Sequence, residues 1–346
     1  MTVTAPTPAP ATEVPRSSGT RLVDRVFKMR ELAILAVFLV MIAVTQLGNS
    51  EFLSEQGIKD LLLNATILVL VATGQSLVVI TRNVDLSVGS TLGVSAFAAG
   101  TYLQGGGHPV VAVLLAVLLG IGCGLVNGAL VSLGQVPALV VTLGTLYIIR
   151  GIDSIWVGSR QITAADLPGG FVDFGSGGFS AIPYLALIAL AVLVVAAYYL
   201  KHFGSGRELY ALGSNPEAAR LAGIPVRWRI LTAYTVCGGL AGLAGAMYLA
   251  RFGNVDSATG NGYELTVVSA VVVGGVVFTG GSGSVYGAAL GALLLTSVNS
   301  VLPALGVSSV WVLAINGVLL ILAIAVDRVV ALRVASALKK RNARHG

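Results

Sequence analysis

What most constrains this chain is a succession of apolar segments, each close to the twenty or so residues that a helix needs to cross a hydrocarbon layer. Segments near 31–47, 61–81, 88–104, 109–133, 138–157, 182–200, 228–250, 265–280, 284–302 and 309–327 predict about ten spanning helices. Lipid offers no hydrogen-bond partner, so each segment must satisfy its own backbone, and a helix does this within one segment. The expectation is therefore an all-α, polytopic membrane protein with a transmembrane domain over 31–328. With 55% hydrophobic and only 10% charged residues, the chain does not read as a soluble globular protein. Its 44 glycines suit helices whose backbones approach closely in lipid.

Charge sets the orientation. The net charge of +6 does not point to nucleic acid, because Lys and Arg cluster beside apolar spans as cytoplasmic loops require. Loop 201–229 carries Lys201, Arg207, Arg220, Arg227 and Arg229, whereas loop 158–181 has only Arg160 and loop 251–264 only Arg251. Residues 1–30 read as a disordered cytoplasmic tail and 329–346 as a basic one, so both termini are expected in the cytoplasm of an inner or plasma membrane protein. Cys123 and Cys237 lie inside apolar runs and His108, His202 and His345 are far apart, which argues against disulfides and metal sites.

One polar stretch stands apart, 213–224, Gly-Ser-Asn-Pro-Glu-Ala-Ala-Arg-Leu-Ala-Gly-Ile. Asn215 suits a helix N-cap, Pro216 the first helical position and Glu217 the positive end of the helix dipole. Gly223 then stops the helix by entering the left-handed region. Ala218, Leu221 and Ala222 share one face, so a helix near 215–222 offers a small apolar stripe to a partner.

Glu217-Ala218-Ala219 with Gly223 resembles the EAA loop of ABC importer permeases, and the wider wording resembles the ribose-type branch, as does Asp85-Leu86-Ser87-Val88-Gly89. The likeness runs over about 60–328. It implies a permease fold of the ribose/vitamin B12 type and a coupling helix that docks on an ATPase through Asn215, Pro216, Glu217, Ala218, Ala219, Arg220, Leu221 and Gly223. It also implies separate cytoplasmic ATPase subunits that bind ATP and Mg, a second permease subunit, identical or paralogous, and an extracytoplasmic sugar-binding protein. The chain itself would then be no enzyme and hold no cofactor. The cargo expected from the resemblance is a monosaccharide or similar small polyol, rhamnose-, ribose- or autoinducer-2-like. The alternative is a proton- or sodium-coupled secondary sugar transporter, and a passive channel is a further one.

A second polar interruption covers 81–90, Thr-Arg-Asn-Val-Asp-Leu-Ser-Val-Gly-Ser. Asp85 or Ser87 can cap the helix that follows, and Gly89 and Gly93 leave room for a neighbouring backbone. Two readings stay open: an inner gate facing water, and a capped turn that closes one helix and opens the next. Neutral polar residues recur within spans, among them Asn64, Thr66, Thr145 and Asn316. The residues assigned to a pathway or gate are Gln75, Asp85, Ser87, Gly89, Asn127, Thr142 and Asn299. The glycine- and serine-rich stretch 274–284 is not a phosphate loop, since no lysine lies between Lys201 and Lys339. It predicts a tight turn.

Overall fold

The computed structural model describes residues 18–304 and scattered positions from Gly306 to Ala325. Residues 1–17, most of the span expected near 309–327, Asn316 and the tail 329–346 lie outside the described residues.

The described chain is helical almost throughout. Long helices are α1 (Ser18–Gly48), α2 (Glu55–Ile80), α3 (Val88–Gln104), α4 (Pro109–Ser132), α5 (Ala138–Val157), α7 (Tyr184–His202), α10 (Val226–Phe252) and α12 (Val285–Ala304). Shorter ones are α6 (Gly169–Ser176), α8 (Gly204–Ser214), α9 (Pro216–Leu221) and α11 (Tyr263–Val273). A two-residue hairpin, β1 (Gly178–Phe179) with β2 (Ile182–Pro183), is a small addition to the expected all-helical chain. Six described helices are long and apolar enough to cross a membrane. Helix α1 begins at Ser18, inside the stretch assigned to the N-terminal tail.

Helix α2 is the axis of the bundle. Every residue from Ala65 to Ile80 is buried, as a helix that is apolar all round should be once other helices surround it. Around it α4, α5 and α7 turn apolar faces outward, with Leu118, Val140 and Val195 each more than 60% exposed, the surface that lipid covers.

The tightest seam joins α4 to α10. Ala116, Gly120, Gly124 and Gly128 recur every fourth residue on α4 and meet Leu231, Tyr234, Gly238 and Gly242 on α10. A Cβ added to Gly120 would overlap the Gly238 carbonyl oxygen and lie 2.9 Å from the Gly242 Cα; one on Gly124 would overlap the Tyr234 carbonyl oxygen. Only glycine at 120, 124, 238 and 242 lets these backbones meet, which is how helices associate where no hydrophobic force separates protein from solvent.

The two ends of the bundle are built differently. At one end the turn 279–283 lies against the foot of α2: the Gly281 N–H donates to the Ile80 carbonyl at 2.9 Å and Arg82 Nε to the Thr279 carbonyl at 2.6 Å. Helices α8 and α9 sit here too, held by Arg229 on Glu208 at 2.5 Å and by the Tyr210 hydroxyl on the Gly283 carbonyl at 3.1 Å. Loop 201–229 is therefore mostly helical rather than a simple connection. At the opposite end, Ile162 and Val255 pair as an antiparallel bridge and Gln104 donates to Asp166 at 3.1 Å. Arg251 pairs with Asp60 there at 3.0 Å.

Two connections enter the bundle instead of crossing its surface. The expected span 265–280 contains only α11, whose eleven residues cover roughly 16 Å, about half a hydrocarbon layer. Its helix stops at Val273 because Gly274 and Gly275 follow, the latter at φ +93°, and the apolar residues beyond belong to the turn.

Candidate functional site

Beyond Ile80 the chain does not leave the bundle but climbs back along α2. Residues 82–87 are held in place by side chains from four helices. With its amide turned to satisfy both groups, Gln75 donates to the Asp85 carbonyl at 3.2 Å and accepts the Asp85 N–H at 3.1 Å. The Val84 carbonyl accepts from the Tyr234 hydroxyl at 3.1 Å and, at 3.3 Å, shares the Thr142 hydroxyl with the Ala138 carbonyl, which lies at 2.9 Å. Thus α2, α5 and α10 satisfy backbone groups that lipid could not.

The Asp85 carboxylate closes the knot. Its Oδ1 accepts the Ser87 N–H at 2.9 Å and the Ser87 hydroxyl at 2.7 Å. Asn127, from α4, donates to Ser87 Oγ at 2.7 Å and more weakly to the carboxylate at 3.3 and 3.5 Å. All five side chains, Gln75, Asp85, Ser87, Asn127 and Thr142, are at most 1% exposed. Five of the seven residues assigned to the pathway therefore converge, in a sealed cluster rather than one open to water. Tyr234 and Cys237 belong to it as well; neither was assigned to the site from the sequence, because each sits in an ordinary-looking apolar run.

The capping expectation needs correcting. Ser87 occupies the N-cap of α3 but its side chain makes no capping bond; it turns to Asp85 instead, which bridges back to the Ser87 backbone. A buried carboxylate demands donors more strongly than a helix end does. Asn299 is also set apart: it lies exposed on α12 and touches none of the cluster.

Gly89 marks where the second re-entrant connection arrives. From the end of α10, residues 253–262 form an arch that dips inward. A Cβ on Gly89 would be 2.6 Å from the Gly260 carbonyl oxygen and would overlap Glu264. A Cβ on Gly93 would overlap the Thr259 carbonyl oxygen and lie 3.3 Å from Arg150 Nη1. Gly93 and Gly89 precede Gln104 by roughly 16 and 22 Å of helix, which measures how deep the arch goes. The start of α11 thus rests against the first turn of α3, and the two helices run to opposite ends of the bundle. Asp85 and Glu264 are carried inside by these connections.

Helix α9 matches its sequence reading in detail. Asn215 Oδ1 accepts the N–H groups of Glu217 and Ala218, both at 3.1 Å, and Gly223 has φ +81°. Ala219 is buried against the chain, while Leu221 stands 90% exposed, with Ala218 and Ala222 also outward. Trp228, 62% exposed, begins the next helix beside it.

Residues 57–324 match the family described as branched-chain amino acid transport system, permease component. The chain is 37% identical over 290 residues to the autoinducer 2 import system permease protein LsrC of Salmonella typhi, covering 84% of this chain and 82% of that protein. It is 34% identical over 315 residues to the ribose import permease protein RbsC of Escherichia coli K12, covering 90% of this chain and 97% of that one.

Proposed function

The chain belongs to the branched-chain amino acid transport system permease family, and from that premise we propose that it forms the path for a monosaccharide or similar small polyol, rhamnose-, ribose- or autoinducer-2-like. It is the membrane-spanning permease subunit of an ATP-driven importer, and family membership speaks for this over the ion-coupled alternative. The names of its relatives support the cargo class. ATP hydrolysis belongs to separate ATPase subunits, and a second permease subunit and an extracytoplasmic binding protein complete the assembly. Both termini, α8 and α9 face the cytoplasm, in keeping with the Lys and Arg bias of 201–229.

The observation that carries the coupling role is α9 itself. A six-residue helix has little stability of its own, yet this one is capped at both ends, anchored by Ala219 and left with Leu221 in the open. In this reading Glu217 and Arg220 meet the ATPase surface while Ala218, Leu221 and Gly223 fill its cleft. ATP-driven closure of the ATPase pair then favours one packing of the helices over another, which needs a difference of a few kcal/mol.

The test is affinity purification of the tagged chain from native membranes, comparing wild type with the double variant Glu217→Lys, Gly223→Val. An ATPase subunit should accompany the wild type alone. A folded wild-type chain that repeatedly emerges without an ATPase would overturn the reading.

A further inference from the structure

A second cluster lies between the sealed knot and the end that carries the 158–183 connection. Arg150 and Asp153 stand one turn apart on α5, and Glu264 opens α11. Asp153 is completely buried, yet neither of its carboxylate oxygens has a hydrogen-bond partner among the described residues; nor do Arg150 Nε and Glu264 Oε2. Four such atoms on three neighbouring side chains contrast with the single orphan atoms of Ser95, Asn127, Ser132 and Arg251 elsewhere. Arg150 lies within electrostatic reach of both carboxylates, and Asp256 of Asp153. Burying acceptors and a charged donor without partners is costly, and the expense is removed only when something supplies the missing bonds.

We propose that Arg150, Asp153 and Glu264 form a seat for one small, uncharged, polyhydroxylated molecule, covered in this structure by the arch 253–262. The proposal rests on the importer reading and names where its cargo pauses. Three acceptor oxygens call for a ligand rich in hydroxyl donors, and Arg150 Nε calls for one ligand oxygen to accept. Two carboxylates against one guanidinium, with Asp256 nearby, repel an anion. The guanidinium in their midst disfavours a metal cation or an amine. The arch is latched by Arg150 Nη1 on the Thr259 carbonyl at 2.6 Å, so entry of the ligand requires that bond to give way. On the proposed orientation the arch descends from the extracytoplasmic side, where cargo arrives.

The full chain in lipid nanodiscs, free of sugar-headed detergent, provides the test by saturation-transfer NMR with D-ribose, L-rhamnose and glycerol as neutral probes and ribose 5-phosphate as the anionic one. Wild type should bind at least one neutral probe and prefer ribose to its phosphate. Asp153→Asn and Glu264→Gln should each weaken neutral binding about tenfold or more, as expected for a lost charge-assisted hydrogen bond, and should narrow the preference against the phosphate. That change in selectivity is one a merely structural role would not produce. If Asp153→Asn does not fold, Glu264→Gln and Arg150→Lys decide, because both positions are partly exposed. The inference falls if no neutral probe binds, if folded variants bind as wild type does, or if ribose 5-phosphate binds best. Any of these with the ATPase still co-purifying sinks this seat alone and leaves the importer reading standing.

Discussion

Replacing Asp85 offers the sharpest test of the buried knot, because its bonds differ enough in length to predict an order of effects. Asp85→Leu removes the acceptor for the Ser87 N–H and the Ser87 hydroxyl, which lie 2.9 and 2.7 Å away. The Asn127 Nδ2 donor keeps its 2.7 Å bond to Ser87 Oγ, so the substitution does not orphan it. Two buried donors left unpaired at about 1–3 kcal/mol each give a loss of about 2–6 kcal/mol. Asp85→Asn retains an oxygen for both donors and forfeits only the charge assistance, about 1 kcal/mol per bond, or about 2 kcal/mol. Reversible SDS unfolding in mixed micelles measures both. A double-mutant cycle adds a finer check: Ser87 should couple strongly to Asp85, whereas Asn127, at 3.3 and 3.5 Å, should couple by less than about 1 kcal/mol. The reasoning is refuted if Asp85→Leu is as stable as Asp85→Asn, or if Asn127 couples to Asp85 more strongly than Ser87 does.

Two further outcomes are expected. Gly120→Ala and Gly238→Ala each drive a methyl group into the facing backbone of the α4–α10 seam, so each should cost about 1–3 kcal/mol in the same unfolding assay, while Gly122→Ala, which meets nothing within 4 Å, should be nearly neutral. In the outer connection, hydrogen bonds from the Thr163 N–H and hydroxyl and from Gln104 hold the Asp166 carboxyl below its ordinary range. A depressed folded-state value means that the carboxylate stabilises this turn fully above the ordinary value of about 4, and that the contribution disappears as the pH falls through the folded value. Hydrogen exchange of the segment 158–168, corrected for intrinsic rates, should therefore show protection from neutral pH to about 5 and its loss below about 4; an identical profile in Asp166→Asn would contradict this.

The sequence revealed what is local. Helix α9 was legible to its cap and its stop because Asn215, Pro216 and Gly223 act through groups a few residues away. Most spans fall within a few residues of their expected limits, since a long apolar run in lipid has one backbone solution. Stretch 81–90 was recognisable as a break, but not as one that turns inward. Its course is fixed by Asn127 and Tyr234, 42 and 150 residues away from the groups they bind. Hydropathy could not tell the helix α11 from the buried turn after it, for Val276 is as apolar and as buried as Val272. Nor could it separate Gln75 from Asn299: both interrupt apolar helices, and only the packing shows that one faces the knot and the other the surface. Around Arg150 and Asp153, nothing local announced that an arch would close over them.

The in-turning segment 82–87 also has a consequence for how the protein is made. When α2 and α3 emerge from the ribosome, the carbonyl of Val84 has neither of its partners: Thr142 arrives with α5 and Tyr234 only with α10. A peptide group cannot wait unpaired in lipid, so this stretch must linger at the aqueous face or inside the insertion machinery and draw in afterwards. The order of synthesis therefore differs from the order of burial. Chains that end before residue 234 should insert their long helices yet leave 82–87 open to protease and to water-soluble labels, and completion of α10 should be the step that closes it.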